Sequence, residues 1–133
     1  MKKEKLVELI KLTYEDDLAL HLRTRRVESE TAEELVEAIG GYNEFDPDKV
    51  KEVIRRFRGR VEGWEIGREY SPVIYVHLPY WTHHREGSTE ISGERIPPEE
   101  MEKLKRELIE AFRGACADEI EEVSPSTLRF WWD

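Results

Sequence analysis

"PVIYVHLPYWTHH", residues 72–84, decides how this chain is read. Val73, Tyr75 and His77 alternate with Ile74, Val76 and Leu78, and β-branched and aromatic residues dominate. That is the period and composition of an extended strand. Pro79 cannot donate to a ladder, so it marks an edge, a bulge or the end of regular pairing. The same pattern flanks this stretch, in "RVEGWEIGREY" (60–70) before it and "STEISGERI" (88–96) after it. Ser71-Pro72 and Glu86-Gly87-Ser88 supply the turns. Residues 60–96 therefore predict three consecutive strands.

Towards the C-terminus, "PPEEMEKLKRELIEAFRGACA" (97–117) reads as a long helix. Pro97-Pro98 opens it, and Glu99 and Glu100 complement its dipole. Met101, Leu104, Leu108, Phe112 and Ala115 fall on one face. After "DEIEEVSPS" the chain ends with "TLRFWWD" (127–133), a strand by the alternation of Leu128, Phe130 and Trp132.

Towards the N-terminus, "DPDKVKEVIRRFRG" (46–59) is a short helix. Asp46 caps it, Pro47 takes its first position and Gly59 ends it. Val50, Val53, Ile54 and Phe57 form its buried stripe, and Glu52 can pair with Arg56 one turn on. "ESETAEELVEAIGG" (28–41) is another, with Ser29 or Thr31 as cap and Gly40-Gly41 as stop. Residues 2–12 carry a helical apolar stripe of Leu6, Val7, Leu9, Ile10 and Leu12. Residues 13–27 fit either period, and the alternation of Leu18, Leu20 and Leu22 leans to a strand over about 18–26.

The pattern predicts one α+β domain over residues 1–133, helical over 1–59 and sheet-and-helix over 60–133. The expected architecture is an antiparallel-rich sheet of four to five strands. The long C-terminal helix lies on one face, and the short N-terminal helices cap an edge or extend that layer.

Composition narrows the classes of function. Charged residues make up 38% of the chain and the net charge is −9, which disfavours general binding to nucleic acid. The charge is uneven: residues 28–52 hold nine acids against two bases, and residues 98–133 hold ten against five. The chain has no glutamine and a single asparagine, Asn43, a charge-rich and amide-poor balance of the thermophilic kind. A lone cysteine, Cys116, excludes an internal disulfide and fits a reducing compartment. No apolar run follows Met1-Lys2-Lys3-Glu4-Lys5, and no stretch reaches the roughly 20 apolar residues of a membrane span. The expectation is a cytoplasmic protein with no membrane contact.

Three of the four histidines, His77, His83 and His84, lie in the opening stretch or at its end. In one continuous strand, His77 and His83 stand six residues apart, about 20 Å at about 3.3 Å per residue. His83 and His84 point to opposite faces. Their imidazoles then fan apart, so neither a metal nor another cofactor is expected. Cys116 sits at the negative end of its helix, the wrong place for a stabilised thiolate. It is expected as a small buried residue. Glu62, Glu65 and Glu69, like Asp118, Glu119, Glu121 and Glu122, have no spacing that singles out a catalytic pair. No phosphate-binding loop, dinucleotide fingerprint or nucleophile elbow is present. No catalytic residue is assigned.

The remaining signals are contact signals. Tyr80, Trp81, His83, His84 and Arg85 combine flat apolar area with hydrogen-bond donors. One of Trp131 and Trp132 faces the core; the other lies on the far face beside Arg129, a contact site or homodimer seam. These eight residues are the candidate binding set. The expected function is a small non-enzymatic binding or regulatory domain with a protein partner, favoured to be basic. One alternative is a small metal-dependent hydrolase built on His77, His83 and His84. Another is nucleic-acid contact through Arg23, Arg25, Arg26, Arg55, Arg56, Arg58 and Arg60, set against internal pairing of those arginines with the surplus acids.

Overall fold

The computed structural model describes the backbone of residues 21–84 and 90–133, and the side chains of residues 23–80 and 95–133. The predicted helix over 2–12 lies outside the described residues, as do Arg85 and the side chains of Trp81, His83 and His84.

The architecture is α+β. Strand β1 (His21–Arg23) leads into helices α1 (Ser29–Ile39) and α2 (Pro47–Arg56). Strands β2 (Gly63–Glu69), β3 (Ser71–His77), β4 (Tyr80–His84) and β5 (Glu90–Glu94) follow. Helix α3 (Pro98–Gly114) and strands β6 (Glu119–Ser124) and β7 (Thr127–Trp131) complete the chain. The main sheet is fully antiparallel, in the order β1-β2-β3-β7-β6.

Alternation in the strands sorts the sheet into two faces. Trp64, Ile66, Ile74, Val76, Leu128, Phe130 and Trp132 point towards the helices and join one apolar cluster. Ala32, Leu35, Val36 and Ile39 of α1 enter the same cluster. So do Val50, Val53 and Ile54 of α2, and Met101, Leu104, Leu108 and Phe112 of α3. The two N-terminal helices thus extend the α3 layer. At the centre, Phe112 stacks on Phe130 at 4.2 Å between ring centroids, and Trp132 meets Phe45 edge-on at 5.0 Å.

The helix ends follow local chemistry with one correction. Asp46 Oδ1 accepts from the Asp48 amide, and Pro47 opens α2. Gly40, at φ 75°, stops α1 in a backbone region other residues avoid. Neither Ser29 nor Thr31 caps α1. Glu28 occupies the cap position without a side-chain bond, and Ser29 Oγ instead accepts from Trp64 Nε1 at 3.0 Å. A buried indole N–H needs an acceptor more than an exposed helix start does.

Three strand expectations change. The run over 72–84 is broken: β3 ends at His77, the Leu78 amide bonds to the Ser126 carbonyl, and β4 begins at Tyr80. Pro79 sits in that break. Among the described residues, the hairpin β4–β5 forms a two-stranded ribbon separate from the main sheet. Residues 119–124, read as connection, form a true strand paired to β7. Their glutamates hide the alternation, because this edge is polar on both faces. Of the strand expected over about 18–26, His21–Arg23 forms β1 and pairs with β2, residues 24–26 carry no strand, and Val27 makes an isolated bridge to Trp64; residues 18–20 lie outside the described residues.

Candidate functional site

The face of the main sheet away from the helices carries a connected set of polar groups. Alternation places Glu65 and Glu69 of β2 there, with Tyr75 and His77 of β3 and Arg129 and Trp131 of β7. Register then makes partners of residues remote in sequence: Glu65 pairs across with Tyr75, and Tyr75 with Arg129.

His77 is held at both ring nitrogens. Arg26 Nη2 lies 3.3 Å from Nδ1, and Glu65 Oε2 is bonded at Nε2. A guanidinium only donates, so Nδ1 accepts and Nε2–H donates to Glu65. The ring is therefore neutral, with one tautomer selected. Burial pushes its pKa below the ordinary 6.5, and nearby Arg26 and Arg23 add to that, against the pull of Glu65. A general base needs a free nitrogen aimed at substrate, and this imidazole has none. Gly63 is required beside it: a Cβ there would lie 2.4 Å from Arg26 Cγ and displace the arginine.

A second group shares the face. Tyr75 Oη donates to Glu69, and Arg129 Nε and Nη2 reach Glu69 Oε1 at 2.9 and 2.8 Å. Burial raises the Glu69 carboxyl, but the Tyr75 and Arg129 hydrogen bonds outweigh it and leave the pKa below the ordinary 4.5. Arg129 also faces Glu119 at 3.4 Å and Glu121 at 3.8 Å. Arg23 pairs with Glu65 at 3.1 Å and lies 4.3 Å above the Tyr75 ring. Trp131 is half-buried, and its Nε1 donates to the Glu69 carbonyl, so the indole reaches across β3. Glu65, Glu69, His77 and Arg129 are thus each engaged by a neighbour on this face.

Of the candidate contact residues, Trp132 is withdrawn. It is 0% exposed, and its Nε1 donates to the Ala115 carbonyl, so it cannot reach a partner. Arg129 and Trp131 are on the open face as expected but are engaged as described. Tyr80 packs partly against the core. Cys116 is half-buried at φ 67°, in the turn after α3 rather than under the helix. Among the described residues, no three His, Cys, Asp or Glu side chains gather as metal ligands. No helix among them is long and apolar enough to cross a membrane.

Of the seven cluster arginines, Arg23, Arg55, Arg58 and Arg60 pair with acids at the surface. Arg55 pairs with Glu33 at 2.6 Å, Arg58 with Glu30 at 3.7 Å, and Arg60 with Glu107 at 2.7 Å. Arg23 and Arg26 belong to the open-face network. A phosphate would have to displace these carboxylates, on a chain whose net charge is −9.

The opposite end of the sheet is different. β6 is its terminal strand and pairs only with β7 among the described residues. Glu119, Glu121, Glu122 and Val123 are exposed along it, Val123 by 42%. Beside it, a hollow of about 350 Å³ opens between α3 and the sheet, lined by the apolar Ile109, Ile120 and Leu128 and by the charged Lys105, Arg106, Arg113, Glu102 and Glu122. Sequence reasoning missed this edge because β6 itself was not legible. Comparison with protein-family models, curated proteins and solved structures finds no match to the chain.

The His77 network makes a pH-dependent prediction. The folded pKa lies below the unfolded one, so the folded state resists a proton that the unfolded chain accepts. This contribution is fully present above 6.5 and is lost as pH falls from there through the folded pKa. Urea unfolding between about pH 5 and 8 is expected to show a loss of stability on the acid side that His77→Gln shares only in part. In the same pH range, Arg26→Met is expected to raise the His77 pKa in an NMR titration.

Proposed function

We propose that the chain is a non-enzymatic binding domain for a basic protein partner, engaged at the β6 end of the sheet. One observation carries the reading: an acid-lined edge strand that pairs with β7 alone among the described residues, on a chain of net charge −9 in which Arg55, Arg60 and Arg129 already face carboxylates. Glutamates on an exposed edge attract cationic segments and raise their encounter rate. The hydrolase alternative has less support, because both nitrogens of His77 are already engaged. The nucleic-acid alternative has less support, because Arg23, Arg55, Arg58 and Arg60 face carboxylates.

Fluorescence anisotropy with a labelled lysine-rich peptide tests this. Binding is expected to weaken as salt rises. The variant Glu119→Lys/Glu121→Lys is expected to weaken it at least about tenfold. The charge-matched control Glu52→Lys/Glu99→Lys, on α2 and α3, should retain most of the affinity. Equal losses in the two variants, or tighter binding to duplex DNA than to the peptide, overturn the proposal.

A further inference from the structure

Resting on that reading, we infer that β6 takes its partner by strand addition, and that the partner segment alternates basic and apolar residues.

Alternate residues of a terminal strand direct their N–H and C=O groups away from the sheet, ready to pair with another chain. β6 is six residues long. Its register with β7 is regular from Glu119 to Glu122 and breaks between Glu122 and Ser124. The pairing length is therefore about one turn-free tetrapeptide.

Side chains then set the partner's pattern. Glu119 and Glu121 share the open face with Arg129, while Ile120 and Glu122 face α3. An added strand has the same alternation, because its residues pair directly across. Residues opposite Glu119 and Glu121 meet carboxylates that share one arginine, Arg129, at 3.4 and 3.8 Å and are still 58% and 60% exposed, so a lysine or arginine fits there. The residue opposite Ile120 faces the hollow lined by Ile109, Ile120 and Leu128. Lys105, Arg106 and Arg113 line it alongside Glu102 and Glu122, so it is the apolar group of Ile109, Ile120 and Leu128, not net charge, that an aliphatic side chain fits.

Charge also argues against a second copy of this chain as occupant. An antiparallel β6–β6 seam sets glutamate against glutamate, and directly opposed like charges destabilise a pair. Glutamates on an edge block self-association in this way while leaving the edge open to a cationic strand.

The test compares two labelled peptides of one composition on the unaltered protein, Lys-Val-Lys-Val-Lys-Val-Lys and Lys-Lys-Lys-Lys-Val-Val-Val. The alternating peptide is expected to bind at least about tenfold more tightly. Ile109→Lys is expected to abolish that preference while leaving the block peptide's affinity nearly unchanged. If the variant does not fold by circular dichroism, the two-peptide comparison alone decides. Equal affinity for the two peptides overturns strand addition but leaves a basic partner standing. Absence of binding to either overturns both.

Discussion

Trp132→Ala is expected to lower the unfolding free energy by about 3–5 kcal/mol, the usual cost of emptying a fully buried large aromatic site. Trp132 is 0% exposed. Its ring meets Phe45 at 5.0 Å and Phe112 at 5.9 Å, tying the turn after α1 to α3. Its Nε1 satisfies the Ala115 carbonyl at 2.9 Å, one of the orphan acceptors at the end of α3. The substitution removes packing and a hydrogen bond together. Trp131→Ala, one residue earlier, removes a half-buried ring and one bond to the Glu69 carbonyl, so its effect should be clearly smaller. Urea unfolding of both variants checks the order. Equal costs would contradict the assignment of the two indoles to opposite faces.

Arg129→Met is expected to cost about 2 kcal/mol at neutral pH. This is below the roughly 3–5 kcal/mol seen when one partner of a fully buried pair is removed, since Glu69 retains some contact with water. Without the guanidinium, Glu69 keeps its burial and its bond to Tyr75 but loses its counter-charge. The sign of the pH effect follows. In the unaltered protein the Glu69 pKa is depressed, so its contribution is present above the ordinary 4.5 and is lost as pH falls through the folded value. The gap between Arg129→Met and the unaltered protein should therefore narrow between pH 7 and pH 3. A double-mutant cycle with Glu69→Gln isolates the coupling. A gap independent of pH would mean that Arg129 acts by packing its stem rather than by its charge.

How much of this could be read from residues alone depended on whether the signal was local. The three described helices carried theirs in period and punctuation: Asp46-Pro47, Gly40-Gly41 and Pro97-Pro98 stand where those helices turn on or off. The inward set Leu128, Phe130 and Trp132 was legible because that strand is apolar on one face only. β6 was not, because an edge strand with carboxylates on both faces has no hydrophobic period. The same limit hid the open-face network. Glu65 and His77 meet across a hairpin, and Glu69 and Arg129 are 60 positions apart, so only strand register brings them together. Ser29 was misread for a related reason. Its helix-start chemistry is local, whereas its actual partner, Trp64, arrives from β2.

On the proposed reading, β6 is an open docking edge. Amide hydrogen exchange, with and without the alternating lysine-valine peptide, measures this directly. Alternate β6 amides, those turned away from β7, are expected to exchange rapidly in the free protein and to slow by at least about tenfold in the complex. Protection that spares β6 and appears elsewhere, or β6 amides already slow before peptide is added, would contradict it.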